Sequence, residues 1–245
     1  MGSGLVTGTK LESALVLAAG LGKRMRPLTA TRPKPLVRVA GKALIDHSLG
    51  RIAAAGIGQV VVNAHYLADA LEAHLRGGNW PFTIAISDER DQLLETGGGM
   101  VKAAPLLTGD PFLAVNSDNV WTDGPADTIQ LLAHHWDAAR MDAMLLLVRH
   151  ASAVGHGGRG DFHMDARGLV SRRKAGRVAP FVYTGIQLIS RRFLRDAPAG
   201  AFSTNILWDR AIAEGRLFGI AHQGQWFEVG TPGAIPPVEA ALRGD

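Results

Sequence analysis

A chain of 245 residues is long enough to bury a sizeable core and to form one large α/β domain with no need of a second. Its 47% hydrophobic and 20% charged residues exclude a disordered chain, no apolar run approaches the roughly 18 residues that span a bilayer, and zero cysteines exclude disulfides and thiolate chemistry. The net charge of +4 suits anionic small molecules, and no basic helix interleaved with aromatics argues for nucleic acid, so neither nucleic acid nor a membrane is an expected partner.

The opening, MGSGLVTGTK, is small and polar and lacks the basic start and apolar middle of a secretory signal. Residues 1–12 read as a flexible leader, and with the missing cysteines they indicate a cytoplasmic protein. Residues 14–19 have the length and composition of a buried parallel strand, ending at Gly20-Leu21-Gly22. A loop of this kind lets backbone N–H groups approach an anion, because no Cβ intervenes and positive φ is allowed. It then becomes basic: Lys23, Arg24 and Arg26 precede Pro27 and the stiff Pro33-Lys34-Pro35. A guanidinium at Arg24 can fork two phosphate oxygens, whereas Lys34 is a compact point charge held between φ-restricted prolines. A dinucleotide fingerprint would need glycine where Met25 stands, and a P-loop would need Ser or Thr where Arg24 follows Lys23, so neither pattern fits.

Periodicity then predicts a helix over 44–55 closed by Gly56, a strand over 59–63, a helix over about 67–75 and a strand over 82–87, a βαβαβ series expected to form a parallel sheet with helices on both faces. ERDQLLETGGGM follows, its three glycines expected to open a helix over 101–107 and to present free N–H groups, or else to form only a tight turn. A strand over 111–115 delivers Asn116-Ser117-Asp118-Asn119 at its carboxyl end, where an aspartate can hold Mg²⁺ or merely cap a turn. A helix over 126–139 and a strand over 143–148 come next. His134 and His135 are adjacent on that helix and point about 100° apart, which makes them surface residues rather than a metal site. Short alternating pieces at 162–164, 169–173 and 181–189 predict antiparallel ribbons, and Arg172, Arg173, Lys174 and Arg177 form the densest positive run. Ser203 is suited to cap a helix over 205–214, and Thr231-Pro232 to begin a last one. No G-x-S-x-G and no Ser/His/Asp arrangement supplies an activated nucleophile.

The run LAAGLGKRMRPLTATRPKPL resembles the sugar-phosphate nucleotidyltransferase family, in which L-A-A-G-x-G-x-R-x-x-P-L-T is followed by P-K-P. The resemblance extends over nearly the whole chain from Ser13. It implies a Rossmann-like three-layer α/β sandwich with a mixed, mostly parallel sheet and a small antiparallel ribbon. A single catalytic domain over 13–245 would have its nucleotide half at about 13–120 and its sugar-phosphate half at about 121–245. It implies a nucleoside triphosphate and a sugar 1-phosphate as partners, Mg²⁺ as cofactor, and a monomer or weak homodimer. Ala19, Gly20, Gly22 and Lys23 would bind the nucleotide, with Gly97 and Gly98 meeting base or ribose and Glu95 orienting their loop or accepting a hydrogen bond. Arg24 and Lys34 would neutralise phosphate charge in catalysis. Asp118 stands where the family has its metal aspartate, and WFEVGTP matches a terminal W-x-D-x-G-T-P with Glu228 in place of the second metal aspartate. Lys174, Thr184, Gly185 and Asn205 would serve the sugar phosphate, Asn205 alternatively only supporting the helix cap. VNAHYLADALEAHL, LLETGGG, GDF and FSTNILWDRA resemble the branch that uridylylates N-acetylmuramic acid 1-phosphate in peptidoglycan recycling. The alternatives are a mannose-1-phosphate guanylyltransferase, a glucose-1-phosphate thymidylyl- or uridylyltransferase, or a non-catalytic nucleotide-sugar binder of the same fold.

Overall fold

The computed structural model describes residues 8–244. The chain enters β1 (Ser13–Leu17), crosses a loop and the hairpin of β2 (Arg38–Val39) and β3 (Lys42–Ala43), and then alternates through α1 (Leu44–Ala54), β4 (Gln59–Ala64), α2 (Ala68–Gly77), β5 (Thr83–Asp88), α3 (Glu95–Ala103) and β6 (Phe112–Asn116). It continues with β7 (Asn119–Trp121), α4 (Thr128–His135), β8 (Ala143–Arg149), β9 (Ala153–Val154), β10 (Phe162–Met164), β11 (Val170–Arg172) and the long β12 (Phe181–Ile189). Last come α5 (Asn205–Ala213), β13 (Leu217–Ala221), β14 (Trp226–Glu228) and α6 (Ile235–Arg243). No helix among the described residues is long and apolar enough to cross a membrane.

Nine strands form one mixed sheet, with the path β11-β10-β12-β6-β1-β4-β5 and with β8 and β13 joined to it through β12. β6, β1, β4 and β5 run parallel, and β12 runs antiparallel to both β6 and β8. Successive side chains of a strand point to opposite faces, so a strand buried on both sides must be apolar throughout. In β1, Ala14 and Val16 join one hydrophobic cluster and Leu15 the other; Val60 and Val62 against Val61, and Leu113 and Val115 against Phe112 and Ala114, repeat the division. Ile45, Leu49 and Ile52 of α1 with Leu71 and Leu75 of α2 cover the first face; Met100 and Ala103 of α3 with Leu207, Trp208 and Ala211 of α5 cover the second. A third cluster, containing Met25, Val39, Leu44, Phe227, Val229 and Val238, ties the loop after β1 to β14 and α6.

Several expectations are corrected. Residues 1–7 of the expected leader lie outside the described residues, but 8–12 are not loose: Thr9 N–H donates to Ala133 O at 3.0 Å, and Leu11 packs on the core. The helix expected at 101–107 is α3, which starts six residues earlier and contains the three glycines, followed by a 3-10 turn over Ala104–Leu106. α4 is shorter than its expected 126–139 and is capped by Asp127, whose Oδ1 accepts Gln130 N–H at 2.8 Å. Thr231 and Pro232 lead into a 3-10 turn, and α6 begins after it with prolines in its first turn, where their missing N–H groups cost nothing. The ribbon of β10 and β11 is present, as an edge of the main sheet.

Candidate active site

β1 is flanked by β4 on one side and β6 on the other, so the order of strands reverses between β1 and β6. Open α/β sheets bind ligands beyond the carboxyl ends of the strands at such a reversal. Leu17 stands level with Asn63 of β4 and Asn116 of β6. A cavity of about 420 Å³ opens there, lined among others by Ala18, Ala19, Gly20, Lys34, Glu95 and Asp118. Two lobes of about 260 Å³ adjoin it. One lies between α3, α5 and β12, with Tyr183, Gln187 and Trp208. The other holds Arg24, Asp118, His156, Thr184, Gly185 and Glu228, and Asn116 lines all three spaces.

The loop after β1 is built around Gly22 at φ 60°, where a Cβ would come to 3.0 Å of both Lys34 Cβ and Thr29 Cγ2. That close approach and the left-handed backbone require glycine. The Gly22 carbonyl accepts from Thr29 Oγ1 at 2.8 Å and from Met25 N at 2.9 Å, while buried Met25 anchors the loop in the third cluster. Lys23 and Arg24 project outward, Gly20 is exposed at the cavity, and the N–H groups of Ala18 and Ala19 donate to Asn63 Oδ1 at 2.6 and 3.2 Å. Asn63 Nδ2 in turn donates to Glu89 Oε1 at 2.7 Å, and Glu89 Oε2 accepts Leu94 N–H at 3.0 Å. Glu89 is 0% exposed, so these partners are what make its burial tolerable. Asn63 and Glu89 lie inside quoted sequence runs, but nothing in those runs assigns either residue this bracing role.

Two of the cations expected on phosphate, Lys34 and Arg24, face the two acids expected on metal. Lys34 Nζ lies 2.5 Å from Asp118 Oδ2, and the Arg24 guanidinium lies 3.8 Å from Glu228 Oε1. Glu228 Oε2 accepts from His156 Nδ1 at 3.2 Å, a contact the sequence did not announce. β14 aligns Glu228 with Asn119, next to Asp118, so two chain segments more than a hundred residues apart deliver both carboxylates to one lobe. Among the described residues no group of three or more His, Cys, Asp or Glu could hold a metal. Two hard carboxylates suit Mg²⁺, which keeps waters and substrate phosphates in its octahedron rather than taking an all-protein cage.

Other expected residues sit differently. The Gly97 and Gly98 N–H groups are not free: both donate to Phe202 O, at 2.9 and 3.2 Å. A Cβ on Gly97 would meet the Phe202 ring at 2.3 Å, and one on Gly98 the Gly200 carbonyl at 2.3 Å, so these glycines let α3 close on the segment before α5. Glu95 is exposed at the start of α3 with φ 58° and lines the main cavity, its carboxylate without a hydrogen bond among the described residues. Thr184 is buried at the wall of the second lobe, its hydroxyl donating to Leu146 O and its carbonyl accepting from Trp226 Nε1, both at 2.9 Å. Gly185, at φ 80°, admits Asn116 and Asn119 where a Cβ would clash with both. Asn205 opens α5 at the rim of the first lobe, with Nδ2 on Ser203 Oγ and Oδ1 accepting from Arg172. Lys174 is exposed on the turn after β11 and lines none of the three spaces, so it is not brought to the cleft as expected. Arg172 and Arg173, its neighbours in the positive run, are engaged within the protein. Burial raises the Tyr183 phenol well above its usual pKa, which keeps it a hydrogen-bond donor.

Residues 13–158 match the sequence profile of the family described as Nucleotidyl transferase. The chain is 47% identical over 233 residues to the N-acetylmuramate alpha-1-phosphate uridylyltransferase of Caulobacter vibrioides, covering 94% of this chain and 96% of that one. The protein of the same name from Neisseria meningitidis is 36% identical over 224 residues, 89% and 93% of the two chains. Among solved structures, the inositol-1-phosphate CTP transferase from T. maritima superposes with a TM-score of 0.75 at 16% identity, covering 96% of each chain. A UDP-glucose pyrophosphorylase complexed with UDP-glucose gives 0.76 at 12% identity, covering 96% of this chain and 99% of that one, a likeness of fold alone.

Proposed function

The chain belongs to the nucleotidyl transferase family, and from that membership we propose that it transfers the uridylyl group of UTP to N-acetylmuramic acid 1-phosphate, giving UDP-N-acetylmuramic acid and pyrophosphate. The chain is a sugar-1-phosphate nucleotidyltransferase; the choice of base and sugar rests on the 47% identity that runs almost end to end with the Caulobacter enzyme. In that reaction an oxygen of the sugar phosphate attacks the α-phosphorus in line. A bond forms between them as the α-phosphorus loses its bond to the bridging oxygen, and pyrophosphate departs with the electron pair. The attacking oxygen is already an anion, so the missing Ser/His/Asp machinery is not needed, and catalysis reduces to alignment and charge neutralisation.

The residues at the cleft divide that work. Asp118 and Glu228 would hold Mg²⁺, which supplies positive charge to the triphosphate oxygens when bound. Lys34, held by Asp118, exchanges that carboxylate for the α-phosphate; Arg24, loosely held by Glu228, turns with Lys23 to the departing phosphates. The loop 18–22 shapes the floor under the nucleotide, with Glu95 at its edge. The lobe between α3, α5 and β12 takes the sugar. The product class assigns the reaction to reuse of cell-wall amino sugars, peptidoglycan recycling in the cytoplasm, a compartment that suits a chain without cysteine.

The test crosses UTP, GTP, dTTP, ATP and CTP with a panel of sugar 1-phosphates, reading pyrophosphate release with and without Mg²⁺. The expected maximum is UTP with N-acetylmuramic acid 1-phosphate, dependent on Mg²⁺. A maximum at GTP with mannose 1-phosphate, or no release with any pair, overturns the proposal.

A further inference from the structure

The lobe between α3, α5 and β12 contains polar groups that the protein does not use for itself. Gln187 is 1% exposed, and its Oε1 accepts the Trp208 Nε1 proton at 3.0 Å. Gln187 lines the lobe, and its Nε2 has no hydrogen-bond partner among the described residues. The Tyr183 hydroxyl, on the same strand and lining the same lobe, also makes no hydrogen bond there. An amide donor that has no protein partner and stands at the wall of a cavity is free to donate to a ligand oxygen. Leu17, Met100 and Trp208 give the lobe an apolar stretch of wall, beside uncharged polar residues such as Asn116 and Ser203.

The lobe is also neutral. No charged residue lines it; Arg172, whose guanidinium lies over the Trp208 ring at 5.5 Å, donates from Nε to Asp209 Oδ1 at 2.7 Å and from another nitrogen to Asn205 Oδ1 at 2.9 Å. Its charge is already matched by a carboxylate. A substrate carboxylate would enter this space with no free cation to meet it, which is unfavourable. A neutral amide with a methyl group suits it: one carbonyl oxygen for the donors, one methyl for the apolar wall.

We propose that this lobe reads the N-acetyl group of the sugar, with Gln187 Nε2 and the Tyr183 hydroxyl donating to the acetamido oxygen and the methyl lying against Met100 and Trp208. The assignment rests on the amino-sugar reading of the reaction and names the group by which the site tells an N-acetylated sugar from a free amine. Gln187 is the specificity-determining residue, because its other amide atom is fixed by Trp208.

The experiment measures kcat/KM with UTP for N-acetylmuramic acid 1-phosphate, N-acetylglucosamine 1-phosphate and glucosamine 1-phosphate, in wild type, Gln187→Glu and Tyr183→Phe. Gln187→Glu keeps an acceptor for Trp208 and replaces the donor by a carboxylate oxygen, which repels a carbonyl and attracts an ammonium. The ratio of acetylated to free-amine substrate is expected to fall roughly 10- to 100-fold in Gln187→Glu and about 10-fold in Tyr183→Phe, the worth of one lost or reversed buried hydrogen bond. UTP binding by calorimetry is expected to stay unchanged, which separates the effect from misfolding. A wild type active on acetylated sugars whose ratio is unmoved in both variants overturns this inference alone. A wild type inactive on every acetylated sugar overturns the proposed function and this inference with it.

Discussion

Lys34 and Asp118 hold each other at 2.5 Å, so a substitution at either acts on its partner as well as on the reaction. For Lys34→Ala we expect kcat to fall by roughly 10²–10³, the usual loss when an electrostatic contact made mainly in the transition state is removed. UTP affinity by calorimetry should stay within a few-fold, since Arg24 and the loop backbone remain; near-normal turnover would remove Lys34 from the mechanism. Both residues were legible because they sit in ordered motifs, a lysine between prolines and an acid at a strand end. Asn63 and Glu89 were not, because their meaning arises only when β4 brings Asn63 against residues 18 and 19, which lie 45 and 44 positions earlier in the chain. Asn63→Ala strands a buried carboxylate oxygen and two N–H groups, so urea unfolding should show a loss of about 2–4 kcal/mol, larger than that of any exposed alanine substitution on α2.

At the scale of elements, the alternation of apolar strands with amphipathic helices was readable because burial on both faces leaves a continuous apolar run of three or four residues, as in Ala14–Leu17 and Val60–Val62. The glycines of α3 were misread for an equally physical reason. Three successive glycines are poor helix formers and usually mark a loop, but here the pressure against a Cβ comes from across the cleft. The segment 200–202 presses on α3, and its Phe202 carbonyl takes two of the helix's first N–H groups. Only the tertiary partner explains the choice, and no local pattern reports it. Gly98→Ala should test this. Its helical backbone would tolerate alanine, so local propensity alone predicts a gain in stability of up to about 1 kcal/mol. The Cβ at 2.3 Å from the Gly200 carbonyl predicts instead a loss of about 1–3 kcal/mol, together with a raised KM for the sugar phosphate as the start of α5 moves. Thermal denaturation with parallel kinetics decides between them.

For the molecule as a whole, the third hydrophobic cluster is what joins the beginning of the chain to its end. Met25 from the loop after β1, Val39 from β2, Phe227 and Val229 flanking Glu228, and Val238 from α6 pack together, so the loop bearing Arg24 and the strand bearing Glu228 are held by one core. Two histidines brace its edges. His47 Nε2 bonds the Val39 carbonyl at 3.0 Å, and His222 Nε2 bonds the Gln225 carbonyl at 3.1 Å, just before β14. Burial lowers the pKa of both below the usual 6.5, outweighing the carbonyl contacts that favour the charged form. The folded chain therefore binds fewer protons than the unfolded one below about pH 6.5, so stability is fully present above that value and drains away as pH falls through the two folded-state values. Thermal melts should accordingly show a nearly constant Tm from pH 8 to 7 and a decline below about 6.5. The double variant His47→Gln, His222→Gln, which retains a side-chain donor for each carbonyl and cannot titrate, should decline less steeply over the same range. Equal slopes in the two proteins would mean that the acid sensitivity of this closure lies in the carboxylates and not in the two imidazoles that border it.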